Sequence, residues 1–173
     1  MKKWKIDPTH TEIGFKVKHM MFTNVNGKFE NYDADITFDE NAFENASLKF
    51  SAEIQSINTN NSERDNHLKS ADFFDAEQFP ELTFESTSIE PTDGAYEVKG
   101  NLTMHGVTKP VTLQTEYSGV MRDPWGNNKV GLQISGKINR KDFGLNYNAA
   151  LETGGVLIGE QVHLNIEIQL AEA

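Results

Sequence analysis

Apolar and polar residues alternate with a period of two along most of this 173-residue chain, the spacing of β-strands with one dry and one wet face. Ile13, Phe15 and Val17 alternate with Glu12, Lys16 and Lys18. His19, Met20, Met21 and Phe22 then break the alternation, which predicts a turn over one end of the sheet. A longer segment from Val25 to Phe38 carries Val25, Phe29, Ile36 and Phe38, and its Gly27 and polar centre predict a bend or bulge. The pattern is most regular from Ala46, where Leu48, Phe50, Ala52 and Ile54 face away from Ser47, Lys49, Ser51 and Glu53. Glu81 to Glu90 and Tyr96 to Met104 flank a PTDG turn and suit a hairpin. After His105 and Gly106, Val111, Leu113, Thr115 and Tyr117 share one face, and DPWGNN turns the chain again. Val130, Leu132, Ile134 and Ile138 define a further strand, with Gly136 in place of an apolar residue. A glycine-rich excursion through Gly154, Gly155 and Gly159 leads to Val162, Leu164, Ile166, Ile168 and Leu170.

Alternation of this quality favours antiparallel strands with one solvated face over the continuous apolar runs of a parallel sheet. The segments amount to about eight principal strands, the number at which a closed barrel holds side chains or one small ligand. With little helix to cover an open sheet, closure is the natural way to bury the dry faces and remove edges. A two-sheet sandwich is the alternative. An up-and-down barrel would gather His19 to Phe22, Asn61 to Pro80, His105-Gly106 and Arg140 to Asn146 at one rim. The PTDG and DPWGNN turns would lie at the other.

The stretch Asn61 to Ser86 departs from the strand pattern. Ser62 followed by Asp65 resembles a helix start. Leu68, Ala71 and Phe74 repeat at helical spacing, and Asp75 is placed to cap a second turn before Pro80. The prediction is a short helical lid or crossover. Together with WKIDPTHTEIGFKVKH, GKFENYDADITF, GNLTMHGVTKPVTL and GKINRKDFGL, this stretch resembles the YceI family of bacterial isoprenoid-binding barrels. The pieces span nearly the whole chain in order. The resemblance implies an all-β, eight-stranded, antiparallel, lipocalin-like barrel occupying residues 1–173 as a single domain. It also implies an apolar channel holding a long isoprenoid, such as an isoprenoid quinone or a polyprenyl phosphate, with no cofactor and with a homodimer as one assembly state. Gly14-Phe15 is not the Gly-x-Trp start of true lipocalins, so the likeness to them is architectural only.

Composition narrows the function classes. The chain has 26 acidic and 16 basic side chains, a formal net charge of −10, which repels a phosphate backbone and argues against a nucleic-acid partner. Cysteine is absent, so neither disulfides nor thiolate metal sites arise. MKKWKIDP has a positive start but no following apolar stretch, and no run approaches the roughly 20 residues needed to span a bilayer. That reads as cytoplasmic, although many members of the family it resembles are exported. The five histidines include no pair at metal-ligand spacing, and no nucleophile elbow, P-loop or dinucleotide fingerprint occurs.

The expected ligand contacts follow from strand phase and from the resemblance together. Phe15, Val17, Phe29, Phe50 and Phe84 would furnish one part of the interior, with Leu102, Leu113, Leu132, Ile134, Leu164 and Ile166 opposite them. Leu68, Phe73 and Phe74 would screen the mouth. His19, Arg64 and His67 are the polar residues expected there, with Arg64 and Asp65 also suited to a structural pairing that pins the lid. Arg140 is in phase with the inward residues of its strand. It calls for a partner because an unpaired buried charge costs several kcal/mol; Asp142, Asp65, another acid or an anionic ligand head would serve. Three functions fit these residues: a carrier of a long apolar lipid, an enzyme on such a lipid using His19, His67 or Arg140, and a filled barrel acting through a surface partner.

Overall fold

The computed structural model describes residues 1–149 and 157–173. Gly154 and Gly155 lie outside the described residues. The strands are β1 (Lys2–Ile6), β2 (Glu12–His19), β3 (Thr23–Phe29), β4 (Tyr32–Asp39), β5 (Ala42–Glu53) and β6 (Ile57–Asn58). After helix α1 (Ser62–Lys69) come β7 (Glu81–Thr92), β8 (Ala95–Met104), β9 (Val107–Arg122), β10 (Asn128–Asn139) and β11 (Ile158–Glu172). All pairings are antiparallel, and the ring closes where β11 meets β1 and β2. β1 with β2, β3 with β4 and β5 with β6 form three bent composite strands, so the molecule is an eight-stranded closed barrel.

Each bend has a local cause. Pro8 opens a single 3-10 turn between β1 and β2, and the Asp7 side chain accepts from Thr9 N there. Its carboxyl is held down at about 2, first by the hydrogen bond from His10 and then by that from Thr9. Between β3 and β4 the bend falls at Glu30 and Asn31, whose backbone bonds Ser56 and Glu53 across the break. Across this bend the inward parity switches from odd (Phe29) to even (Ala34, Ile36, Phe38), which requires an odd number of residues out of register. Gly27 is not the bend that its sequence context predicts. It makes room for the Phe15 ring, since a Cβ there would lie 2.4 Å from a ring carbon.

The helix start also differs from expectation. Asn61, not Ser62, is the N-cap, with Oδ1 accepting from Arg64 N at 3.1 Å. Asp65 turns back to Thr59 instead, accepting from its backbone N. The helix stops at Lys69, leaving Ala71 exposed, and Phe74 comes inward through a turn in which Phe74 N donates to Leu68 O at 3.0 Å. Asp75 does open a second turn, but through its backbone carbonyl, which accepts from Gln78 and Phe79.

The four segments expected at one rim do share it. The β2–β3 turn, the lid, the His105 turn and the Arg140–Phe143 turn all lie at the ends of strands running that way. His105 Nδ1 donates to Phe143 O at 3.0 Å while its ring meets Phe79 edge-on, tying three of them together. The opposite end is filled. Trp4 stacks on Phe38 at 4.8 Å, Phe43 stacks on Tyr117 at 4.7 Å, and Phe38 and Tyr96 pack edge-on to Phe43. Trp4 Nε1 donates to Phe38 O and Tyr117 Oη to Glu40 O, so these amphipathic rings are satisfied inside the plug.

Candidate functional site: an apolar cavity with one mouth

Above the plug the barrel is hollow. A cavity of about 210 Å³ runs toward the lid rim. Its walls come from every principal strand because inward parity is preserved around the ring. Phe15, Val17 and Phe29 line one side, and Leu48, Phe50, Phe84 and Leu102 continue round from it. Leu113, Leu132, Ile134, Leu164 and Ile166 complete the wall. Glycine shapes it too: a Cβ on Gly100 would lie 2.5 Å from the Phe84 ring.

The mouth is covered by Leu68, Phe73 and Phe74, all of which face the cavity. Phe73 is buried and Phe74 half-buried, and Phe74 meets Phe29 edge-on at 6.4 Å. Around the outside of this cover the His67 ring packs against Phe73 at 5.0 Å and Tyr147 at 4.7 Å. His67 Nε2 lies 2.8 Å from Asp72 Oδ2, so the imidazole braces the lid from without and does not line the cavity. Arg64 is likewise outside the lining: its Nε and Nη2 donate to Thr59 Oγ1 and Thr59 O, the structural pairing that pins the helix. His19 ends β2 opposite Thr23 and is also absent from the wall. Of the four polar residues expected at the site, Arg140 alone reaches the cavity.

Arg140 is 4% exposed, and its partners are not the acids expected of it. Nε donates to Gly159 O at 2.8 Å, Nη1 to Leu145 O at 2.6 Å and Tyr147 O at 2.9 Å, and Nη2 to Ile158 O at 3.3 Å. Asp65 is committed to Thr59, and Asp142 is not among the hydrogen-bond partners of the guanidinium. Carbonyl dipoles thus solvate the cation, and a planar five-donor group is what can reach four of them at once. Burial pushes its pKa down from the ordinary guanidinium value, opposed by the field of Glu160.

A second polar residue lies at the far end of the cavity, two residues mouthward of Tyr117. Thr115 is 1% exposed, lines the wall, and its hydroxyl oxygen has no hydrogen-bond partner among the described residues. Strand phase places Thr115 inward, but the depth and the orphaned hydroxyl are properties of the packed barrel. The plug residues Trp4, Phe43 and Tyr96 were equally hidden, because closure alone brings β1, β5 and β8 ends together. Among the described residues no group of three or more histidine, aspartate or glutamate side chains is arranged to hold a metal ion.

A family model described as a YceI-like domain matches residues 4–170. The chain belongs to the YceI-like family. A UPF0312 protein of Staphylococcus aureus is 41% identical over 165 residues, covering 94% of this chain and 93% of its own. The crystal structure of a YceI protein from Campylobacter jejuni is similar at 37% identity with a TM-score of 0.77, covering 100% of this chain and 99% of the other. At 15% identity and a TM-score of 0.72, a polyisoprenoid-binding domain from Saccharophagus degradans, implicated in plant cell wall breakdown, shares the fold with both chains covered in full. The YceI-like barrel is therefore common to proteins of widely different sequence, while the wall described above belongs to this chain.

Proposed function

We propose that this YceI-like barrel sequesters or carries a slender apolar lipid of the isoprenoid class and does not transform it. The observation that carries the reading is the closed apolar tube: a wall of aliphatic and phenyl groups from all eight strands, stopped by an aromatic plug and covered by Phe73 and Phe74. Its volume lies below the roughly 300–1,000 Å³ of sites for compact drug-sized ligands, which favours a single thin chain over a bulky polycycle. Branched methyl groups at regular intervals suit the alternation of small and large wall residues, such as Ala34 beside Phe50. The fold neighbour from Saccharophagus degradans is named for binding a polyisoprenoid, which supports the class. The residues offered for acid–base work on such a lipid give less support to an enzyme, because His19 and His67 lie off the wall.

Arg140 is the head-group contact in this reading, as the charged residue at the mouth end of the lining. Mass spectrometry of an organic extract of the purified protein tests the ligand class directly. Titration with a prenyl alcohol series should show affinity rising roughly fourfold for each carbon buried, from about 0.8 kcal/mol per methylene, and levelling once the tube is full. Affinity independent of chain length would refute a lipid in the tube.

A further inference from the structure

We propose that the β2–β3 turn is a membrane-docking tip, which seats the mouth of the barrel against a lipid bilayer carrying anionic head groups. The inference gains its purpose from the carrier reading but stands on observations of its own.

Met20 and Met21 occupy the two central positions of a tight hairpin turn closed by Phe22 N donating to His19 O at 3.3 Å. Their φ angles are 52° and 66°, the left-handed region that Asn-Gly fills at little cost and that residues with long side chains seldom enter. The position therefore breaks its own local rule. It also breaks the rule for surfaces, since Met20, Met21 and Phe22 are 45, 57 and 84% exposed in one contiguous tip. Strain at Met20 and Met21, within an exposed apolar tip that continues through Phe22, points to a contact made outside the chain.

Charge along the same wall identifies the partner. The cross-strand row Glu12, Glu167, Gln133, Glu116 lies toward the middle of the barrel and is acidic. The next rows toward the mouth change sign: Gly14, Asn165 and Ser135 are neutral, then Lys16, His163 and Lys137 stand side by side. Lys18 follows, one row nearer the tip, opposite Asn24. A molecule of net charge −10 thus presents lysines directly behind three exposed apolar side chains. That pairing of an apolar edge with a basic flank is the signature of an interfacial lipid contact. Three side chains are too small an area for a stable interface between two copies of the chain.

The two tryptophans report the orientation. Trp4 is buried in the plug, and Trp125, 83% exposed, sits in the turn between β9 and β10 at the opposite rim. Purified protein is to be floated with vesicles of phosphatidylcholine and phosphatidylglycerol, with tryptophan emission recorded. Docking by the tip gives association that weakens with added salt and leaves Trp125 emission unshifted. Replacing the tip by Met20→Asn, Met21→Gly and Phe22→Ser lowers vesicle affinity by roughly tenfold or more, with the unfolding midpoint held or raised because the turn is relaxed. Lys16→Gln with Lys18→Gln weakens association without touching the turn. Absence of vesicle binding by the unmodified protein, binding undiminished in the tip variant, or a blue shift of Trp125 overturns the proposal. A tip-dependent dimer without vesicle association overturns it as well. Binding of a detergent-dispersed prenyl alcohol, measured in parallel, reads the carrier function separately.

Discussion

At the scale of single residues, two polar groups in an apolar wall carry opposite expectations. Thr115 has a buried hydroxyl without a partner, a condition that costs about 1–3 kcal/mol. Thr115→Val keeps the shape and removes the orphan, so urea unfolding of the ligand-free protein should show a gain of about 1 kcal/mol. A smaller gain in ligand-loaded protein would mark a polar atom of the ligand beside that hydroxyl. Four of the five N–H groups of Arg140 are engaged by carbonyls of Leu145, Tyr147, Ile158 and Gly159. Arg140→Met leaves those acceptors in a dry environment, and stability should fall by about 3 kcal/mol or more. Comparing a prenyl phosphate with the matching alcohol on this variant checks the head-group role: equal losses for the two would make Arg140 a brace alone. Its inward phase was legible from the spacing with Ile134 and Ile138. Its partners were not, because sequence arguments pair charges with charges, whereas here the segment after the Arg140 turn and the start of β11 bring their carbonyls to the cation.

At the scale of elements, the lid and the plug close the two ends by different means. Phe74 is held by a turn beyond a two-turn helix and is only half-buried, so Phe74→Ala should cost about 2 kcal/mol, below the range for a fully buried ring. Ligand release should quicken in the same variant, measured by stopped-flow transfer to vesicles. Loss of stability with release unchanged would make the segment a structural cap. In the plug, burial raises the Tyr117 pKa above 10.0, so the folded protein holds that proton more tightly than the unfolded chain does. The contribution is complete below pH 10 and is lost as pH rises beyond it. Tyr117→Phe should flatten the alkaline decline seen by denaturant unfolding across that window, while Tyr32, shifted the same way by burial, keeps part of it. The short helix of the lid could be read from its start signal at Ser62 and Asp65. Its cap could not, since Ser62 and Asn61 are adjacent good cappers and the choice was made by Asp65, drawn back to Thr59.

At the scale of the molecule, closure depends on the short β1, whose Trp4 pairs with Ile36 on one side and Glu172 on the other. Trp4→Ala removes a ring that is 1% exposed and should cost about 4 kcal/mol by thermal or urea unfolding, with exchange of the β11 amides quickened first. The barrel, its strand number and its shared rim were legible because parity is a local property and an up-and-down path alternates rims. The division of the interior into plug and cavity was not, because it depends on how far along the axis each inward residue lies. That division has a kinetic meaning. A tube with a stopped end is a cul-de-sac, so an occupant leaves by the way it came and no newcomer can push it through from behind. Exchange of one lipid for another must then pass through an empty barrel, at a pace that is indifferent to how much of the second lipid is waiting.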